Sequence, residues 1–191
     1  MRKIVFDIET SDFFTDVGSN DPADLNLSVI CIHDSETDTY RGFFQHELKA
    51  LWPILEEADM LIGFNSDHFD IPLLNKYYPG DLSKIKSLDL LKEVRGSLGR
   101  RIKLDTLAEA TLGKNKTANG IVANTWWKEG KYEQVKEYCL EDVRITKELY
   151  DFALRHGHLK YVSGKELKEI PLDTSHWEKS EESALTYTLP F

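Results

Sequence analysis

Apolar residues recur at two spacings along this chain, and the change from one to the other divides it. Residues 3–8 read as a short apolar strand in which Ile4, Val5, Phe6 and Ile8 surround Asp7. A polar stretch over 11–26, with Gly18, Pro22 and several aspartates, reads as a loop. Residues 27–33 and 40–44 read as strands joined by the turn-forming run from Asp34 through Asp38, giving an N-terminal three-stranded meander. Helical spacing then sets in at 46–57 through Leu48, Leu51, Trp52 and Leu55, with Pro53 interrupting it. Residues 60–64 predict a buried strand and 85–88 a shorter one. Between them, 67–77 predicts a helix with Ile71, Leu74 and Tyr78 along one face. A further helix over 104–112 is closed by Gly113. The longest pattern covers 131–154, where Val135, Cys139, Val143, Thr146, Leu149 and Ala153 form a continuous stripe. After residue 155 the pattern weakens. Strands first, then helices alternating with strands, predict an α/β chain with a mixed sheet flanked by helices.

A length of 191 residues suits one domain with a full core. No apolar run approaches the ~18 residues a membrane span needs, and Asp7 and Glu9 break any secretory leader at once. Cys31 and Cys139 fall in predicted core elements and read as buried thiols of a reducing compartment, so a cytoplasmic location is expected. Net charge is −9, which argues against holding nucleic acid by bulk electrostatics. The charge is unevenly spread, however. Nine basic residues lie between Lys84 and Lys116 against four acids, so this stretch is +5 and the remainder −14. Such a strip suits an enzyme that grips phosphates and releases them; a solvated face explains it as well.

Asp7 and Glu9 are two apart on a strand, so both carboxylates leave one face. Held side by side they repel unless a cation lies between them, and oxygen ligands of this kind select Mg²⁺ or Mn²⁺ over zinc. Asp70 is ambiguous. With Asp67 as a helix cap it would occupy the third helical position, where an acid gains only ~0.3–1 kcal/mol from the helix dipole. Tyr138 and Asp142 are four apart on the strongest predicted helix and share a face beside the Cys139 and Val143 stripe. His156, Gly157 and His158 read as the capped end of that helix.

Taken together, Phe6-Asp7-Ile8-Glu9-Thr10, Gly63-Phe64-Asn65 with Phe69-Asp70, and Tyr138-Cys139-Leu140-Glu141-Asp142 resemble the three motifs of the DEDD nuclease superfamily. The histidine branch would carry its histidine at position 137, which is Glu137, so Tyr138 identifies the tyrosine-bearing (DEDDy) form. The run from Gly63 through Leu74 is similar to the second motif of the exonuclease domain of family B DNA polymerases. On that resemblance Asp70, not Asp67, is the third carboxylate. The likeness continues through Lys103-Leu104-Asp105-Thr106-Leu107-Ala108, Leu112-Gly113 and Trp126-Trp127-Lys128-Glu129-Gly130. It covers residues 1–155 and leaves 156–191 as a C-terminal extension that packs on the domain or serves another purpose.

The resemblance implies a ribonuclease-H-like fold with a mixed five- to six-stranded sheet. It also implies a 3′–5′ exonuclease that releases nucleoside 5′-monophosphates, from single-stranded DNA in the favoured reading. Two divalent ions, Mg²⁺ or Mn²⁺, are implied: Asp7 bridges them, Glu9 and Asp142 complete one, and Asp70 holds the other. Tyr138 would orient the attacking water. Thr10 and Asn65 resemble positions that contact the terminal nucleotide. Phe64 or Phe69 would stack on bases or simply pack in the core, and Arg100, Arg101 and Lys103 would contact phosphates. An exoribonuclease, a non-catalytic nucleic-acid-binding module of this fold and a ribonuclease-H-like endonuclease remain alternatives. A nucleotide-binding α/β protein finds no support, since the sequence has no glycine-rich phosphate loop. Thr186, Tyr187, Thr188, Leu189, Pro190 and Phe191 faintly resemble the peptides by which bacterial replication and repair proteins dock on the sliding clamp, with Thr186 where glutamine is usual. An edge strand packing back on the sheet accounts for the same alternation.

Overall fold

The computed structural model describes residues 1–114 and 120–179; Lys116 of the basic strip and residues 186–191 lie outside them. In chain order the elements are β1 (Lys3–Thr10), α1 (Phe14–Val17), β2 (Leu27–Asp34), β3 (Thr39–Phe44), α2 (Leu48–Glu56), β4 (Met60–Gly63), α3 (Asp70–Asn75), β5 (Lys86–Asp89), α4 (Leu90–Leu98), α5 (Leu104–Leu112), α6 (Gly120–Lys128), α7 (Tyr132–His156), β6 (His158–Ser163) and β7 (Glu166–Pro171).

Five strands form one mixed sheet in the order β3-β2-β1-β4-β5. β1 pairs with β2 and β2 with β3 antiparallel, whereas β4 and β5 join parallel to β1. Alternation along β1 divides the core. Ile4, Phe6 and Ile8 pack with Leu51 and Leu55 of α2 and with Ile71, Leu73 and Leu74 of α3. Val5 faces the opposite layer, with Val135, Cys139, Val143 and Leu149 of α7. Every residue of β2 is buried, as expected for a strand covered on both faces. The mixed, doubly covered sheet is the architecture the motifs imply. Among the described residues no helix is long and apolar enough to cross a membrane.

Three local features differ from the sequence expectation. α3 begins at Asp70, three residues later than expected, because residues 65–69 form a turn. Asn65 adopts a left-handed conformation (φ +68°), and its carbonyl accepts from Phe69 N–H at 3.0 Å. Gly63 permits this turn: a Cβ there would lie 2.5 Å from Ser66 Cβ. Asp67 therefore caps no helix. Its carboxylate accepts from Ser87 Oγ at 2.6 Å and pairs with Lys92 at 3.0 Å. Second, α4 follows β5 with no loop, because Asp89 ends the strand and caps the helix through the N–H groups of Leu91 and Lys92. Third, β6 and β7 form a separate antiparallel hairpin.

Leu159, Ile170, Leu172 and Trp177 join the core beneath α7. Trp177 is fully buried, stacked on Tyr150 with ring centroids 5.6 Å apart. Lys3 pairs with Glu178 at 2.5 Å, and Lys86 Nζ donates to the carbonyls of His176 and Lys179. These contacts fix the segment after β7 across the sheet.

Candidate active site

The last residues of β1 and the middle of α7 bring three carboxylates together. Asp7, Glu9 and Asp142 each present an oxygen, all within 4.8 Å of one another. Strand alternation puts Asp7 and Glu9 on the side that Val5 shares with α7. The helix is docked there directly, for Cys139 Sγ donates to the Asp7 carbonyl at 3.2 Å. Asp142 lies one turn beyond Tyr138 and is buried, as is Tyr138, whose ring meets Trp126 edge-on at 6.1 Å. An all-oxygen set converging on one point fits a hard divalent cation, so the residues present suit the metal chemistry that the motifs imply.

Asp70 is not part of that cluster. It is the first residue of α3, 4% exposed, and its Oδ1 accepts from the Ile8 N–H at 3.1 Å. β4 pairs with β1 only as far as Val5, so Asp70 supplies a partner where the neighbouring strand no longer does. Burial pushes its pKa up to about 7; the Ile8 N–H opposes the rise and the Asp89 charge adds to it.

The remaining predicted residues sort by what they touch. Thr10 Oγ1 donates to the Asp12 carbonyl at 2.9 Å and sits under Asn124. Asn65 Oδ1 accepts from Arg101 at 2.6 Å. The guanidinium of Arg100 lies over the Tyr161 ring, and Lys103 is exposed just before α5. Phe64 packs against the α7 side of the core, Phe69 against the other side beside Phe14. Within the basic strip, Lys86, Lys92 and Lys114 are already engaged by protein groups.

Two residues that sequence reasoning passed over organise this site. Asp89 is buried and accepts from four N–H groups, those of Asn65, Asp67, Leu91 and Lys92. One carboxylate thus fixes both the turn before Asp70 and the start of α4. Its position at the end of a strand, before a Leu-Leu pair, was the available signal. Asn124 on α6 is also buried; its Nδ2 donates to Thr10 O, Thr10 Oγ1 and Asp12 O at 2.9, 3.2 and 2.9 Å. It pins the end of β1 one residue past Glu9, and nothing in the sequence singles it out.

Fold and acidic cluster together are of the ribonuclease H type. The RNase_H_2 family model, of the RNase H superfamily, matches residues 4–154, and the chain belongs to that family. The match runs from β1 into α7 and includes Asp7, Glu9, Asp70, Asp89 and Asp142. Among solved structures, the family B DNA polymerase from the hyperthermophilic archaeon Pyrobaculum calidifontis is similar, with a TM-score of 0.63 at 19% identity. The likeness covers 81% of this chain and 24% of that one, and at this identity it is a likeness of fold. The chain thus matches about a quarter of the polymerase's length. No curated protein sequence matches it.

Proposed function

We propose that the protein is a 3′–5′ exonuclease that hydrolyses single-stranded DNA one nucleotide at a time, releasing nucleoside 5′-monophosphates. The convergence of Asp7, Glu9 and Asp142, with Tyr138 one turn before Asp142, carries this reading. Asp7, Glu9 and Asp142 would hold one divalent cation, Mg²⁺ or Mn²⁺, and Asp7 with Asp70 would hold a second. Bound there, the two ions would make water nucleophilic near neutral pH and stabilise the leaving oxygen.

The chain's own residues do the positioning. Cys139 and Asn124 hold the two carboxylates of β1 in place, one through the Asp7 carbonyl and the other through the Thr10 carbonyl. Tyr138, held by Trp126, offers a phenol donor that would orient the attacking water. Thr10, the residue after Glu9, and Asn65, in the turn before Asp70, would contact the terminal nucleotide. Arg101 reaches the site through Asn65, while Arg100 and Lys103 would meet phosphates further along the strand.

The test is digestion of 3′- and 5′-labelled single-stranded DNA and RNA with Mg²⁺ or Mn²⁺, beside Asp7→Ala. A ladder shortening from the 3′ end of DNA, abolished by EDTA and by Asp7→Ala, is expected. Shortening from the 5′ end, internal cuts, or preference for RNA would each overturn part of the proposal. Absence of cleavage on every substrate would overturn all of it.

A further inference from the structure

Beside the acidic cluster lies a second feature that the hydrolytic site does not use. Phe44, Gln45, His46, Trp127, Tyr132 and Gln134 line an open groove of about 950 Å³ between the end of β3 and the α6–α7 junction. Its rings already contact one another. Phe44 lies parallel to His46 at 6.0 Å and 6.2 Å from Trp127, and Trp127 meets Tyr132 at 4.4 Å. Tyr132 nonetheless stays 48% exposed. Aromatic faces held together at the surface by packing are preorganised to stack on another planar ring.

Strand register places this groove. Glu9 pairs with Val29 and Val29 with Phe44, so Phe44 stands two strands from Glu9 on the same face, about 10 Å away. That distance spans about three stacked nucleotides at ~3.4 Å each. Consecutive residues of α6 touch both places: Trp126 packs on Tyr138, and Trp127 lines the groove. We propose that this groove receives an unpaired nucleobase of the strand being degraded, two to three nucleotides from the scissile bond. The proposal rests on the nuclease reading above.

Chemistry favours a base over a phosphate or an apolar peptide. Lys131 pairs with Glu129 and Lys136 with Glu133, so the cations beside the groove are already balanced by carboxylates. Nothing there selects a phosphate, and the contribution of the groove to binding is weakly dependent on salt. Gln45 and Gln134 carry amides that both donate and accept, as the edges of bases require. The stacking is indifferent to sequence because every base has a π-face, which suits an enzyme that must accept each nucleotide in turn.

The experiment compares KM for thymidine oligonucleotides of two and eight residues, with Mn²⁺, in wild type, Tyr132→Ala and Tyr132→Phe. Tyr132→Ala is expected to raise KM for the octamer about fivefold or more relative to the dimer, and Tyr132→Phe to restore the ratio. An unchanged ratio overturns the proposal. Binding in EDTA to a fluorescent octamer, with or without an abasic residue three positions from the 3′ end, separates the two readings. Loss of the base should weaken binding to wild type and not to Tyr132→Ala. If that pattern holds but no substrate is cleaved, the exonuclease reading fails and the groove stands. If cleavage proceeds from the 3′ end and the abasic residue has no effect, the groove assignment fails alone. A dimer that Tyr132→Ala converts to monomer, with oligonucleotide kinetics unaltered, would assign the groove to a second copy and overturn the proposal.

Discussion

Asp70 accepts a hydrogen bond from the backbone N–H of Ile8, the residue between Asp7 and Glu9. Two motifs 62 residues apart are therefore joined by one bond, and the position of one carboxylate is slaved to the strand that carries two others.

The same burial makes Asp70 a measurable liability in the metal-free protein. Its folded pKa of about 7 stands above the ordinary 3.8, so the folded state holds a proton that the unfolded chain has lost between those values. Stability from this group is full below pH ~4 and is lost as pH rises toward 7. Asp70→Asn keeps an oxygen for Ile8 and removes the charge. In EDTA at pH 8 it should be more stable than wild type, by up to about 4 kcal/mol. At pH 4 the difference should vanish. Thermal melts at the two pH values decide this, and equal melting points at pH 8 would contradict it.

Asp89 should matter to both fold and rate. Removing its carboxylate strips a buried acceptor from four N–H groups, including that of Asn65 in its left-handed turn. Asp89→Ala is expected to cost about 3 kcal/mol in urea unfolding, combining a lost cap with unsatisfied donors. Activity should fall even where the protein remains folded, since the turn sets the approach to Asp70. Wild-type turnover by a folded Asp89→Ala would show that the turn is held by other means.

Asn124 offers a cleaner separation of stability from catalysis. Its single amide satisfies three oxygens at the end of β1, next to Glu9. Asn124→Ala should cost about 1–3 kcal/mol. A small displacement of Glu9 should also lower kcat about tenfold or more. A stability loss with kcat intact would confine Asn124 to a structural role.

Far from the site, Arg2 and Asp34 predict the acid limb of stability. Arg2 grips Asp34 through two nitrogens, at 3.2 and 2.6 Å, and this pairing holds the Asp34 carboxyl below its usual range against the opposing effect of burial. A depressed carboxyl stabilises the fold above its unfolded pKa of ~3.9, and that stability disappears as pH falls through the lower folded value. Arg2→Met strands a buried carboxylate and should cost about 3–5 kcal/mol at pH 7. The gap between variant and wild type should narrow steadily in urea melts taken from pH 7 down to pH 3. A constant gap would mean that Arg2 acts through packing alone.

Much of this was readable in the sequence where one physical rule dominates. The alternation that buries Ile4, Phe6 and Ile8 also points Asp7 and Glu9 the other way, and the stripe through Val135, Cys139 and Val143 fixed the face of α7. Rules competed elsewhere. Leu90 and Leu91 follow β5 with no turn residue before them, so α4 is marked only by the Asp89 cap. The β6–β7 hairpin buries only Leu159 and Ile170 along its two strands, leaving almost no alternation to detect. The start of α3 depended on the backbone of Asn65, and Asp67, a good cap in sequence, was drawn instead to Ser87 and Lys92. The three clustered carboxylates lie on one strand face and one helix that pattern alone predicts, but the bond from Ile8 to Asp70 is a tertiary contact no local pattern announces.

Trp177 bears on how this domain can be handled as a part. Its ring plugs the floor of the α7 layer against Tyr150, and its indole N–H reaches Glu93 of α4 at 3.3 Å. A cassette cut at residue 155, where the motifs run out, would leave with an indole-sized hole in its base. A fragment meant to keep this core intact must run on through Glu178, whose carboxylate also reaches Lys3 and Tyr150.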